Sequence, residues 1–342
     1  MEDFRIPIGS WVDTGVDWVR DNLDWLLHAI AVVVRWLVNG LTDILVASPI
    51  PLTILVAALI GWLVRSWRLA LGTVVTFVLI VAMNQWKTSM QTLSLVLVAT
   101  LVAVAIAVPL GIWSARNSAV RATLKPILDF MQTMPAFVYL IPAITFFSIG
   151  VVPGLVSTVI FALPPGVRLT ELGIRGVDPE TVEAGHAFGA KPGQILRGIQ
   201  LPLAMPTIMA GVNQVIMLAL SMAVVAGIVG ADGLGKEVVN AISTVNLAKG
   251  VEAGLSVVFI AVYLDRVTAA LGNPAGYRSS LIAIMSRWRT AKAANGRSVD
   301  VTASATGNDP AAAEAVEAIE EANRAKASPR RAPIGFGGGG GN

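Results

Sequence analysis

The chain contains no cysteine and only two histidines, which removes several common kinds of functional site. Without cysteine there is no disulfide, no thiolate metal site and no cysteine nucleophile. His28 and His186 lie far apart in the sequence, and neither has a second ligand at the spacing of a metal site. We therefore expect no metal site and no cysteine-dependent catalysis.

Charged residues are also scarce. They make up 14% of the chain, against about 25% in a typical soluble domain. Hydrophobic residues make up 55% of the 342 residues, and the mean hydropathy is +0.70. A water-soluble fold of this size cannot bury so much apolar surface, whereas a bilayer accepts it. The basic residues are scattered, which argues against nucleic acid as a partner. The composition predicts an integral membrane protein.

Long uncharged segments predict seven membrane spans. Residues 130–167 carry no charge and are too long for one span, so a turn at 150–154 divides them into the fourth and fifth spans. The other five are predicted at about 48–65, 69–86, within 88–115, 204–229 and 251–269. Most basic residues then fall on alternate connections. This places those connections in the cytoplasm, the N-terminus outside and the C-terminus inside.

The two ends of the chain differ from the middle. In residues 1–47, an amphipathic helix over 11–46 contains four Trp, which predicts an extracytoplasmic helix lying in the headgroup region. The alternative is a helix packed on another protein surface. Residues 48–270 form the predicted transmembrane domain. Residues 271–342 are predicted to be a cytoplasmic tail, largely disordered, because the segment is polar and rich in Ala, Ser and Gly.

The predicted cytoplasmic loop at 176–202 is long enough to need a function of its own. Asp178 suits a helix N-cap, Pro179 the first helical position, and Gly189 a left-handed cap at the end. A second short helix is predicted to start near Pro192. A surface helix with small side chains suits docking into a groove of a partner protein. The alternative is an ordinary connector between spans.

The same loop resembles a known family. Its motif residues are similar to the EAA motif of permeases in binding-protein-dependent ABC importers, with glycine at one position where the family pattern has a second alanine. The matching residues are Glu183, Ala184, Gly185, Gly189, Ile199, Leu201 and Pro202. Longer segments, including 129–140, 161–165 and 201–214, resemble the glycine betaine/L-proline branch of that family. The similarity extends from about residue 85 to residue 270.

The resemblance implies a fold, a function and a set of partners. The fold is an all-α polytopic permease of the type I ABC importer class with a MetI-like core, in the bacterial cytoplasmic membrane. The function is import of a compatible solute such as glycine betaine, proline or choline. The partners are cytoplasmic ATPase subunits, an extracytoplasmic solute-binding protein and a second permease copy in a homodimer. ATP and magnesium would bind to the ATPase, and this chain would bind no cofactor. The seven motif residues would be the positions that couple the permease to the ATPase, and the chain itself would have no catalytic residues and no enzymatic activity.

Three polar residues, Asn213, Gln214 and Ser221, lie within the sixth predicted span. They either line a translocation path or form hydrogen bonds between helices. Residues 230–236 fit the start of a phosphate-binding loop, but Glu237 replaces the hydroxyl residue that binds magnesium. A glycine-rich turn before a short re-entrant helix at 236–246 is predicted instead.

Other functions remain open at this stage. The chain could be an ABC permease for another small solute, an osmotically gated channel or a secondary transporter. A secondary transporter needs ionisable residues within its spans, and the long predicted spans are nearly free of them.

Overall fold

The computed structural model describes residues 8–272, and every regular element in this range is helical. The predicted tail at 271–342 lies outside the described residues, apart from its first two. The α-helices of the described range are α1 (Ile8–Ala47), α2 (Ile50–Val64), α3 (Trp67–Ala82), α4 (Trp86–Arg116), α5 (Ser118–Thr133), α6 (Leu140–Phe147), α7 (Val151–Arg175), α8 (Pro179–Ala187), α9 (Pro192–Ile195), α10 (Leu201–Ala226), α11 (Leu234–Ser243) and α12 (Leu247–Gly272).

Helix α1 has two halves that differ in their packing. Its backbone leaves helical geometry at Leu23 (φ −116°, ψ 18°). Beyond that point Ala31, Val34 and Val38 are buried in the main hydrophobic core, where α1 contacts α4, α6 and α7. Their spacing of three and four residues puts them on one face of the helix. The second half of α1 is thus part of the bundle. The interfacial position of the first half stays a prediction.

About seven spans were predicted, and the described residues contain five or six segments that could each cross a membrane. Five helical segments are long and apolar enough to cross a membrane: α1, α4, α7, the segment Pro192–Val229 that contains α10, and α12. Helices α2 and α3 have only 15 and 16 residues. At 1.5 Å per residue each is about 23 Å long, which is shorter than the roughly 30 Å of a bilayer hydrocarbon core.

The predicted fourth span is a broken helix. Helices α5 and α6 meet at an angle of 109°, and they add a sixth span only if the bent pair counts as one. Met134 is extended (φ −72°, ψ 134°), as expected for a residue that precedes a proline. Pro135 then starts a single 3-10 turn before α6. The absence of charge did not reveal this bend, because α5 begins in the charged segment before residue 130.

Helices α4, α7 and α10 form the centre of the bundle. They approach closely because small residues lie at their contacts. A Cβ added at Gly111 on α4 would lie 2.5 Å from the Cβ of Thr170 on α7, and one added at Gly166 on α7 would lie 2.9 Å from the Cβ of Ala107. Such close packing is the main attraction between helices in lipid, where the hydrophobic effect does not act between them. Two of these helices, α7 and α10, hold the two ends of the loop that contains α8 and α9.

Candidate coupling loop and translocation path

The first helix of the loop begins as predicted. The Asp178 side chain accepts a hydrogen bond from the backbone N–H of Glu180 at 3.0 Å, and Pro179 occupies the first helical position. The Glu180 carboxylate lies in the first turn, where the helix dipole is positive. These local interactions fix the start of α8.

The end of α8 is fixed in the same way. Gly189 has a φ of +76°, in the left-handed region. Its N–H donates to the carbonyl of His186 at 2.9 Å, and the N–H of Ala190 donates to the carbonyl of Gly185 at 3.1 Å. This pair of bonds is the Schellman motif. The predicted left-handed cap is therefore confirmed, and the chain turns sharply toward α9.

The second short helix is also present. Helix α9 starts at Pro192, and the side-chain Oε1 of Gln194 accepts a hydrogen bond from the N–H of Lys191 at 2.8 Å. A π-helical turn over Leu196–Gln200 then leads directly into α10. The loop is therefore two short helices joined by a tight turn, with its second helix continuous with a long membrane helix.

The motif residues divide into two groups by burial. Gly185 is buried, and a Cβ at this position would lie 2.7 Å from Cδ1 of Ile199 and 3.5 Å from Cγ1 of Ile195. Ile199 and Leu201 pack against a small core of the loop. These contacts hold α8 against the start of α10. They also give a reason for glycine at a position where the resembled family has alanine: Ile199 lies closer here than a methyl group allows.

The other motif residues face outward. Glu183, Ala184 and Gly189 are exposed, as is Pro202 at the start of α10. Beside them lies Phe188, whose side chain is 92% exposed at the end of α8. A fully exposed aromatic ring is unusual away from an interface, because its burial against a partner is strongly favourable. The outward face of α8 therefore has the character of a docking surface.

The three candidate path residues are not brought together. Asn213 donates to Oδ1 of Asp265 at 2.9 Å and accepts from the hydroxyl of Thr268 at 2.7 Å, so it joins α10 to α12. Gln214 and Ser221 are seven residues apart, lie on one side of α10, and are both exposed. Ser221 donates to the carbonyl of Met217 in its own helix.

The sequence did not identify Asp265 as a partner of Asn213. It lies near the end of the last predicted span, so its charge served only to mark a boundary. A carboxylate within a long apolar helix needs a polar partner, and a search for such a partner on α10 would have found Asn213. The contact belongs to the packing of α10 on α12.

A second polar cluster was also missed. The Glu171 carboxylate on α7 pairs with Arg121 on α5 at 2.9 Å and with Arg175 at 3.8 Å, and it accepts a hydrogen bond from Ser114 on α4 at 2.9 Å. An ion pair between Asp129 and Arg168 lies beside it. These charges line an open cavity of about 430 Å³. They attach the amphipathic helix α5 to the central helices.

The loop with the partial phosphate-binding pattern is packed rather than open. Gly233 has a φ of +133°, and a Cβ there would lie 2.6 Å from Oγ1 of Thr92. The same Oγ1 accepts a hydrogen bond from the N–H of Leu234 at 2.8 Å. Lys236 is bound to Asp232 at 2.8 Å, which raises the pKa of the lysine. The loop holds α11 against α4. The predicted short helix is present as α11.

The fold is similar to that of a transporter of known structure. A chain of the MetNI methionine ABC transporter, solved in an inward-facing conformation, superposes with a TM-score of 0.51 at 21% identity, covering 55% of this chain and 94% of that one. Residues 107–272 match the family described as binding-protein-dependent transport system inner membrane component. The fold and the sequence thus define the class: a membrane-spanning permease.

Relatives of known function place the chain more narrowly. It is 44% identical over 285 residues to the glycine betaine/proline betaine transport system permease protein ProW of Escherichia coli (strain K12), covering 83% of this chain and 79% of the relative. It is 46% identical over 264 residues to the glycine betaine transport system permease protein OpuAB of Bacillus subtilis (strain 168), covering 77% and 94%. The chain belongs to the binding-protein-dependent ABC permease family. It is a transport subunit of the bacterial inner membrane and works with an ATPase and a substrate-binding protein.

Proposed function

We propose that this permease imports a quaternary amine such as glycine betaine. The observation that carries the proposal is the identity of 44 to 46% over most of the length of permeases named for glycine betaine transport. The chain's five Trp outside α1 and three Tyr are too few and too dispersed for an obvious aromatic cage. The separate binding protein therefore supplies most of the selectivity, and the permease supplies the passage.

The outward face of α8 is the proposed contact with the ATPase. It combines an exposed carboxylate at Glu183, a small residue at Ala184 and the exposed ring of Phe188. An aromatic anchor with small neighbours is the usual composition of an energetically important docking site. ATP and magnesium bind to the ATPase, so closure of the ATPase pair moves the α8 helices and reshapes the passage by rigid-body movement.

Two copies of the chain are proposed to form the passage. Gln214 and Ser221 lie on an exposed face of α10 at membrane depth. A polar side chain facing lipid is unfavourable, and polar residues within spans normally face the protein interior or a water-filled path. A second copy placed against this face would give both residues such a position. In a homodimer, a second copy of the same chain would cover this face, and no other permease subunit would be needed.

Reconstitution tests the substrate class. The chain, its ATPase and its binding protein are placed in proteoliposomes, and uptake of radiolabelled glycine betaine is measured with and without ATP. We expect uptake that requires all three components and ATP. Excess unlabelled choline or proline should reduce this uptake only if it competes with glycine betaine for the binding protein. Uptake by the permease alone, or failure to transport any quaternary amine, would refute the proposal.

A single substitution tests the coupling surface. Phe188→Ala removes the exposed ring, and we expect it to lower ATP-driven uptake at least tenfold, as loss of a docking anchor worth roughly 2 kcal/mol would do. Leu55→Ala on α2, another exposed apolar position, is the matched control and should transport normally. Membrane insertion is measured for both variants. Equal uptake by the two would remove α8 as the site of coupling.

A further inference from the structure

The first half of α1 has an apolar face on which the side chains are exposed or only partly buried. Among residues 9–272, for which burial is described, the first buried residue of α1 is Ala31. Val12 is 60% exposed, and Leu26, Ile30 and Val33 remain substantially exposed beside the part of the helix that packs on the bundle. The bundle uses a neighbouring face of the helix, formed by Ala31, Val34 and Val38.

The exposed face has a regular spacing. Along this face eight apolar residues follow one another at steps of four and three positions over 26 residues, and the last of them, Leu37, also packs on the bundle core. We call this set the α1 stripe, and it consists of Val12, Val16, Val19, Leu23, Leu26, Ile30, Val33 and Leu37. The spacing is that of the a and d positions of a heptad repeat, with an average of 3.5 residues per turn.

The period distinguishes between possible partners. A straight helix has 3.6 residues per turn, so a strict 3.5-residue repeat drifts by about 20° per heptad unless the helix supercoils around another helix. A lipid surface imposes no such repeat. Four heptads of apolar a and d positions are therefore typical of a helix that packs along a second helix.

The charges also argue against lipid as the occupant. Residues 8–25 contain four carboxylates, at Asp13, Asp17, Asp21 and Asp24, against one guanidinium at Arg20. Helices that bind membrane surfaces usually carry Lys and Arg on their polar face, which anionic lipids attract. A net acidic helix lacks that attraction. The stripe thus has the apolar residues of a membrane-surface helix without its charges.

A second copy of the same helix fits the flanks of the stripe. The positions that adjoin it on one side are Gly15, Asn22, Ala29 and Trp36, none of them charged. Those on the other side are Asp13 and Arg20, followed by Leu27 and Val34, which pack on the chain's own bundle. In an antiparallel pair, Asp13 of one copy lies near Arg20 of the other; in a parallel pair, Arg20 lies near Gly15. Neither direction places like charges opposite each other across the contact.

We propose that the α1 stripe packs against the α1 stripe of a second copy, so that the N-terminal helices tie two permease chains together. The proposal rests on the paired assembly proposed above and adds to it a specific contact outside the passage. Because one end of α1 packs on α4, α6 and α7, the contact joins the two bundles directly.

The absence of cysteine makes the test direct, because any introduced cysteine is the only thiol in the chain. Single cysteines are placed on the stripe at Val16, Val19, Leu23 and Leu26, and as controls on other faces of the same helix at Asp17, Trp18 and Asp24. The full-length chain is assembled with its ATPase in membrane vesicles and treated with a short bismaleimide. We expect at least one stripe cysteine to form a covalent dimer and the controls to remain monomeric.

A second measurement separates this contact from the pairing of the bundles. The double substitution Val19→Asp/Leu23→Asp is combined with Leu26→Cys, and we expect at least a tenfold loss of cross-linking. A cysteine at Ser221 on α10 reports independently on pairing at the passage. Cross-linking at Ser221 with none on the stripe would overturn the α1 contact and leave the paired assembly intact. Loss at both positions would refute both. Equal cross-linking of stripe and control cysteines would also overturn the α1 contact. So would stripe cysteines that are shielded from water-soluble maleimide yet never cross-link, and that result would favour lipid as the occupant.

Discussion

The coupling loop and the central bundle are held together in different ways. Helix α8 is fixed by local interactions: the Asp178 cap at one end and the left-handed Gly189 at the other. The contact of α4 with α7 depends on residues far apart in sequence, such as Gly111 against Thr170. Local signals can be recognised in a single sequence, whereas a close helix contact depends on the partner that each glycine meets. The loop was therefore predicted in detail and the bundle only in outline.

The largest expected effect is a loss of stability when the close contact between α4 and α7 in the bundle is disrupted. Gly111→Ala places a Cβ 2.5 Å from the Cβ of Thr170 and 2.7 Å from the carbonyl oxygen of Val167, so α4 and α7 must separate. We expect a loss of stability of about 1–3 kcal/mol or more, as for other overpacked sites. Thermal unfolding in detergent measures it. Gly72→Ala on α3, where nothing lies within 4 Å, is the matched control and should leave the midpoint nearly unchanged. A similar loss in both variants would contradict the close contact.

The next effect falls on the loop. Gly189→Ala forces an L-residue to hold a φ of +76°, at a cost of roughly 1–2 kcal/mol. We expect the end of α8 to unwind locally, so that uptake falls while the unfolding midpoint of the bundle changes little. Transport and ATP hydrolysis are measured in the same proteoliposomes. Gly198→Ala, in the same loop without a positive φ, should be close to wild type. Normal coupling in the Gly189 variant would show that the cap is dispensable.

A smaller effect sharpens the role of Gly185. Gly185→Ala introduces a methyl group 2.7 Å from Cδ1 of Ile199, a flexible atom that can shift. We expect a loss of stability near 1 kcal/mol and a moderate fall in uptake. Ile199→Val removes that atom, so the double variant should recover most of the loss in a double-mutant cycle. Additive effects of the two substitutions would show that the contact does not limit this position.

The smallest effect distinguishes two neighbours on α10. Asn213→Ala breaks the hydrogen bonds to Asp265 and Thr268, and interhelical bonds in membranes average about 0.6 kcal/mol. We expect a small fall in the unfolding midpoint. Gln214→Ala should leave that midpoint unchanged and lower the uptake rate, if its exposed face lines the passage. An Asn213 variant with full stability and reduced transport would reverse these assignments.

The sequence predicted most where an element carries its own signals. The caps of α8, the start of α9 at Pro192 and the presence of α11 all followed from local chemistry. The motif of the loop also identified the family, which the comparisons confirm. The roles of the motif residues and of the path residues stay predictions, because they concern contacts with other chains.

The sequence predicted least where length or charge was the only criterion. The seven uncharged segments were found, but two gave helices too short to cross a bilayer alone, and one is bent at Pro135. The uncharged segment was predicted from residue 130 onward, yet its first residues belong to the amphipathic helix α5, which begins at Ser118. The spacing of charges does not predict whether an apolar helix spans the membrane, bends or lies flat, because this depends on the helices packed beside it.

The small core of the coupling loop has a mechanical consequence. The cluster contains Ile174 near the end of α7 and Val177 just after it, Leu196 in the π-helical turn, and Ala204 and Ile208 near the start of α10. Val182 of α8 packs against the same cluster. If the ATPase moves α8 as proposed, this shared core links the movement to both α7 and α10. The loop therefore joins its exposed helix to two membrane helices through one core. A small stroke at the cytoplasmic surface would turn two central helices as a unit.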